Sequence, residues 1–234
     1  MELRKTMEII DNNTKDIQEY FKTHKYVVVR NFLDPNIVGL VYQYCLAKVQ
    51  QIDFKTTFDL KNYNSDWDGT FGDSQAPSSY SAYGDVLMDT LLATARPMIE
   101  KYTGLSLVPT YSYWRLYQLG EELVRHRDRH SCEISTTLCL GYNNSNIDQE
   151  KDPDYNWDIW VETDQIPGQD SAPISLRPGD LIVYRGCEVD HWREKFKGLC
   201  HAQTFLHYND ANGPHPNMYD GRAIIGIPKN FQRS

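Results

Sequence analysis

The chain has little positive charge and no cysteine pairing pattern. Its 24 Lys and Arg are outweighed by 32 Asp and Glu, leaving a net charge of −8. Phosphate backbones are bound through clustered Lys and Arg, so this balance excludes a nucleic-acid groove as the main surface. No apolar run approaches the ~20 residues that cross a bilayer, and the opening MELRKTMEIIDNN lacks the apolar core of a secretory signal. The five cysteines (Cys45, Cys132, Cys139, Cys187, Cys200) are odd in number and include no C-x-x-C pair. Neither a disulfide framework nor a thiolate metal site is spaced here. The expectation is an intracellular, cytoplasmic protein with reduced thiols. Internal repeats and low-complexity tracts are also missing.

What is present is a globular composition, 40% hydrophobic with 16 Tyr, over 234 residues. That suits one domain spanning 1–234. Ile17, Tyr20, Phe21 and His24 keep helical spacing over 15–24. YVVVRNFL reads as a buried strand. Asp34-Pro35 then opens a second helix, an N-cap followed by proline at the first helical position, running to about Gln50. Periodicity disappears over 51–84, where Gly, Ser, Asp and Asn mix with Phe54, Phe58, Trp67, Phe71, Tyr80 and Tyr83. So long a patternless stretch, rich in aromatics, is expected to be a lid-like loop. Met88, Leu91, Leu92, Ala95, Met98, Ile99 and Tyr102 mark a third helix stopped by Gly104, with a kink expected at Pro97.

Beyond about residue 105 the texture changes to short strands. They are expected near 110–118, 123–126, 134–141, 157–162, 174–176, 181–185 and 200–208, with a possible edge strand at 223–227. Gly120, Pro167-Gly168 and Pro178-Gly179-Asp180 punctuate them. The expected fold class is α+β, mainly β, with a jelly-roll core over about 106–210. N-terminal helices within about 1–105 pack on it, and 211–234 forms a C-terminal extension.

One constellation carries chemistry. His126 and Asp128 sit two apart at a strand end, so both side chains face the same way. His191 follows 63 positions after Asp128, behind the apolar strand led by Pro178-Gly179-Asp180. Two imidazoles and one carboxylate on one face of an ion leave the opposite positions open, the ligand set of a mononuclear iron(II) site. Alone, His126-Arg127-Asp128 also reads as a solvated ion pair. His130 offers an alternative cluster with His126 and Asp128. Arg127 and Arg129 fit either an acidic substrate group or a solvated rim. Glu133 fits a role orienting a ligand or a surface position. Trp157, Trp160 and Trp192 read as packing residues, and His215 is given no role. His201, Gln203, Phe205 and His207 share one face of the strand FKGLCHAQTFLHY.

This order of elements resembles the iron(II)/2-oxoglutarate-dependent oxygenases, most closely the prolyl 4-hydroxylase-like branch. The resemblance begins at FKTHKYVVVRNFLDPNIVGL and continues through TGLSLVPTYSYWRLYQLGEELVRHRD. It closes with the Pro-Gly-Asp strand and the distal His. It implies a double-stranded β-helix holding Fe(II) through His126, Asp128 and His191. It also implies 2-oxoglutarate and O2 as co-substrates, with Tyr117 hydrogen-bonded to 2-oxoglutarate. The implied activity is hydroxylation with release of succinate and CO2, since halogenases of this superfamily replace the carboxylate that Asp128 retains.

One position departs from the family pattern. About ten residues after the distal His the family carries a Lys or Arg that pairs with the far carboxylate of 2-oxoglutarate. Here His201 stands there, with Gln203 two further on. Neither has the permanent charged fork of Arg. A protonated His201, Arg115 reaching in from the Tyr113-Arg115-Tyr117 face, or a different co-substrate would each answer this. A cupin-like metal-dependent enzyme or binding protein that does not use 2-oxoglutarate is the alternative reading. A third is a jelly-roll binding module without catalysis. The substrate is a small molecule, an amino acid or a peptide.

Overall fold

The computed structural model describes residues 8–9, 14–162 and 171–229. Its N-terminal part runs β1 (Glu8–Ile9), α1 (Thr14–His24), β2 (Tyr26–Val29), α2 (Pro35–Thr57), α3 (Ser65–Asp68), β3 (Thr70–Phe71), β4 (Tyr80–Tyr83) and α4 (Val86–Thr103). The remainder is β5 (Leu107–Gln118), β6 (Leu123–His126), β7 (Ile134–Asn143), β8 (Ile159–Glu162), β9 (Ala172–Ile174), β10 (Leu181–Tyr184), β11 (Asp190–Arg193) and β12 (Cys200–Asp210). Two sheets result, ordered β1-β2-β10-β7-β12-β5-β4-β3 and β6-β11-β8-β9. They form the double-stranded β-helix, with helices on the outer face of the larger sheet.

The unbroken apolar runs of β2 and β10 follow from this layering. A strand covered on both faces has no solvated side and so no alternation. Val27, Val29, Leu181 and Val183 join Phe21, Val41, Leu92 and Ile99 under the helices. Their neighbours Tyr26, Val28, Ile182 and Tyr184 point the other way, against Ile159, Val161 and Ile174 between the sheets.

Helix ends follow local chemistry. Asp34 caps α2 by accepting from the Asn36 amide at 2.8 Å, and Asp85 caps α4 by accepting from Leu87 at 2.9 Å. Gly104 ends α4 with φ +74°, a left-handed conformation that suits a residue without Cβ. Pro97 lies inside α4, which continues to Thr103.

Three expectations need correction. Helix α2 runs past Gln50 to Thr57 because Ile52, seven residues after Cys45, extends the buried face. The stretch 51–84 is not patternless: it holds the end of α2, α3, β3 and β4. There β4 pairs with β5 (Tyr80↔Leu116, Tyr83↔Tyr113), and Tyr80 packs on Trp114 at 4.9 Å. Strands of two and four residues are too short to show alternation, and pairing to β5 holds them. Finally, 223–227 forms bends and turns rather than an edge strand. That segment is tied to buried Asp89, which accepts from Arg222 Nη1 at 2.6 Å and from the Gly226 amide at 2.7 Å. The expected Pro167-Gly168 turn lies outside the described residues.

All five cysteines are free. Burial pushes the Cys139 thiol up to about 12 and Cys187 up to about 11, so neither is a thiolate at neutral pH. No helix among the described residues is long and apolar enough to cross a membrane.

Candidate metal centre

Two strands of the smaller sheet bring the triad together. Antiparallel β6 and β11 pair with His126 directly opposite His191, and Asp128 follows β6 by two residues. The backbone of Asp128 is fixed by its amide donating to the Gly186 carbonyl at 2.8 Å. His126 Nε2 and His191 Nε2 each lie 3.6 Å from the same oxygen, Asp128 Oδ1. The three ligand atoms all fall within 4.8 Å of one another. Ligands about 2.1 Å from one octahedral ion stand roughly 3 Å apart, so the set closes on an ion with a small inward shift.

The protonation pattern fits as well. Nδ1 of His126 lies 2.7 Å from the Val124 carbonyl, and Nδ1 of His191 lies 3.0 Å from that of Val189. A carbonyl only accepts, so both Nδ1 atoms carry the proton and both Nε2 lone pairs face the site. Burial pulls His191 below the ordinary histidine range, favouring its neutral, ligating form. Burial works against an ionised Asp128. The neighbouring His126, His191 and His207 and the Ser135 hydroxyl outweigh it and hold this carboxyl down at about 2.

Behind the carboxylate stands a layer not foreseen from sequence. Ser135 Oγ donates to Asp128 Oδ2 at 2.6 Å and lies 3.0 Å from His207 Nδ1. Gly186 leaves room for this contact, since a Cβ there would sit 2.5 Å from both Asp128 Oδ2 and Ser135 Oγ. No sequence signal marked Ser135 or Gly186, because their partners are brought in by sheet pairing.

The triad opens into a cavity of about 390 Å³ that Tyr111, Tyr113, Arg115 and Phe205 help to line. Arg115 is already engaged there. Its Nε donates to Asp73 Oδ2 at 2.8 Å, its Nη2 to Gln75 Oε1 at 2.9 Å and its Nη1 to the Tyr117 hydroxyl at 3.0 Å. Asp73 and Gln75 come from the stretch read as a lid. Tyr117 is wholly buried, its ring 4.8 Å from that of Trp157.

His201 and Gln203 lie deeper. The His201 ring packs among Trp157 (5.3 Å), Tyr142 (5.3 Å) and Phe196 (5.7 Å), and Gln203 Nε2 donates to its Nδ1 at 3.2 Å. Burial, aided by the charge of Arg193, drives His201 well below the ordinary histidine range, so it is neutral. The protonated His201 considered from sequence does not form near neutral pH.

Of the remaining candidates, Arg129 also lines the triad's cavity. His130 stacks on His215 with ring centroids 4.5 Å apart. Arg129 pairs with Asp220 at 2.8 Å, and Arg127 with Asp190 at 2.5 Å. Glu133 accepts from the Asp210 amide at 3.0 Å and so ties down the end of β12 rather than a ligand. Trp160 and Trp192 stack on each other at 5.9 Å.

No family model and no curated protein sequence matches the chain. Solved structures do. A Pseudomonas putida prolyl-4-hydroxylase superposes with TM-score 0.61 at 15% identity, covering 85% of this chain and 100% of that one. The non-heme α-ketoglutarate-dependent carbocyclase SnoK from nogalamycin biosynthesis gives TM-score 0.61 at 11% identity, covering 94% and 95%. A prolyl hydroxylase from Trichoplax adhaerens, solved with a hypoxia-inducible-factor peptide, gives 0.55 at 12%, covering 84% and 89%. The chain has the fold of the 2-oxoglutarate/iron(II) oxygenases, the prolyl 4-hydroxylase-like branch included.

Proposed function

We propose that this single domain is a non-haem Fe(II)- and 2-oxoglutarate-dependent dioxygenase that hydroxylates a small-molecule, amino-acid or peptidyl substrate. One observation carries the reading: two opposed histidine Nε2 atoms, each 3.6 Å from one Asp128 oxygen, on strands of a double-stranded β-helix. Iron(II) with 2-oxoglutarate and O2 supplies oxidative decarboxylation, yielding succinate and CO2 and an oxidant for a substrate C–H bond.

The chain's own residues do the rest. His126, Asp128 and His191 would hold the ion, leaving positions open for co-substrate and O2. Ser135 keeps the Asp128 carboxylate turned so that Oδ1 faces the histidines. Tyr117 and Arg115, hydrogen-bonded to each other, supply a polar wall for the co-substrate. Tyr111, Tyr113 and Phe205 give the cavity aromatic walls that orient an organic substrate and exclude water. A volume near 390 Å³ suits a small molecule or a single inserted side chain. Both kinds of substrate are in keeping with neighbours as different as a peptide-bound prolyl hydroxylase and a carbocyclase from nogalamycin biosynthesis.

The test is anaerobic titration with iron(II) and then 2-oxoglutarate, followed by visible absorbance and thermal shift. A weak visible charge-transfer band, absent in His191→Ala, is the expected result. Iron binding that 2-oxoglutarate leaves unchanged would favour the cupin-like reading instead.

A further inference from the structure

A buried arginine with no ion-pair partner among the described residues sits two residues beyond the distal histidine. Arg193 is only 2% exposed. Its Nη1 donates to the Trp157 carbonyl, and its guanidinium lies over the Trp157 ring at 4.9 Å. Its Nε and Nη2 have no hydrogen-bond partner among the described residues. The nearby acid Asp158 does not close the gap, for its own Oδ1 is also without a partner. Buried charges are normally paired, and a buried charge left unpaired is costly.

We propose that Arg193, on β11, binds the far carboxylate of 2-oxoglutarate, the role for which β12 offers no cation. This rests on the oxygenase reading above. The Nε–Nη2 edge of a guanidinium presents two parallel N–H groups, the fork that matches both oxygens of a carboxylate. That edge is the one left without a partner.

Position agrees with the role. Burial alternates along β11, so His191 and Arg193 share its inward face, about 6.6 Å apart along the strand. A five-carbon diacid chelating an ion at His191 reaches across such a gap. Trp157 gathers the other parts: the rings of Tyr117 and His201 lie 4.8 and 5.3 Å from it, and the Arg193 guanidinium covers its face. Neutral His201 stands where the family places its cation, and Arg193 reaches the same aromatic cluster from the neighbouring sheet. Arg115 is the poorer choice because Asp73 already neutralises it at 2.7 Å.

The test compares 2-oxoglutarate with pyruvate, which keeps the chelating keto acid and lacks the far carboxylate. Both are titrated calorimetrically into manganese(II)-loaded wild type, Arg193→Met and Arg193→Lys without O2. The expected result is wild-type preference for 2-oxoglutarate, reduced by at least ~30-fold in Arg193→Met with pyruvate affinity unchanged. Arg193→Lys keeps the charge without the fork and should fall between, which preserves the test if the Met variant does not fold. A preference that survives both substitutions overturns the role of Arg193 and leaves the oxygenase reading standing. Manganese-loaded wild type that binds neither keto acid overturns both.

Discussion

Ser135 Oγ donates a 2.6 Å hydrogen bond to Asp128 Oδ2, the oxygen turned away from the two histidines. The contact joins β7 of the larger sheet to the candidate metal-binding end of the smaller one, so on the proposed reading metal affinity is coupled to how the sheets pack. Ser135→Ala is therefore expected to keep the fold and weaken manganese(II) or iron(II) binding about 10–100-fold. Calorimetric titration with manganese(II) checks this, and an unchanged affinity would mean Asp128 is held in place without Ser135.

Gly186 occupies space that no side chain can share. A methyl group there meets Asp128 Oδ2 and Ser135 Oγ at 2.5 Å. Gly186→Ala should cost roughly 1–3 kcal/mol of stability by overpacking. It should also lower metal affinity more than Ser135→Ala does. Denaturant unfolding with and without metal separates the two effects; a variant that binds metal normally would show that the carboxylate relocates freely.

Asp89 and Arg222 form a wholly buried ion pair, 2.6 Å apart, that fastens the segment after β12 to α4. Breaking one side leaves the other charge buried and uncompensated. Asp89→Asn should destabilise the protein by about 3–5 kcal/mol in urea unfolding. A loss below about 1 kcal/mol would contradict a dry, unrelieved pair.

Asp73 links acid stability to the cavity wall. Burial pushes its carboxyl upward. The Arg115 charge and the Tyr113 hydrogen bond overcome this and hold it below the ordinary carboxylate range. A depressed folded-state value adds stability above the unfolded value, near pH 3.9. That increment is lost as pH falls through the folded value. Melting temperatures from pH 7 to pH 3 should thus drop more steeply for wild type than for Asp73→Asn. Parallel curves would show that Arg115 is held mainly by Gln75 and Tyr117.

Much of the fold was legible because it follows from local rules. The cap at Asp34, the Gly104 stop and the apolar runs of β2 and β10 are one-dimensional signals, and the structure bears them out. The grouping of His126, Asp128 and His191 was legible too, since two of them are strand neighbours and the third trails a marked strand. The strand that carries His191 was missed: β11 is four residues long and exists by pairing with β6 and β8. Strands β3 and β4 were missed for the same reason, that pairing rather than alternation stabilises them.

The sequence alone determined the layered β-helix, its helical cover and the grouping of His126, Asp128 and His191, all written in periodicity, caps and spacing between neighbours on a strand. Tertiary structure alone decided which groups surround those three residues. Ser135 and Gly186 reach Asp128 across a sheet boundary, Asp73 takes up Arg115, and His201 loses its charge among aromatic rings. Hydrogen bonding, excluded volume and burial act between atoms that are near in space. No pattern along the chain records which distant residues the closing of two sheets will bring within 3 Å.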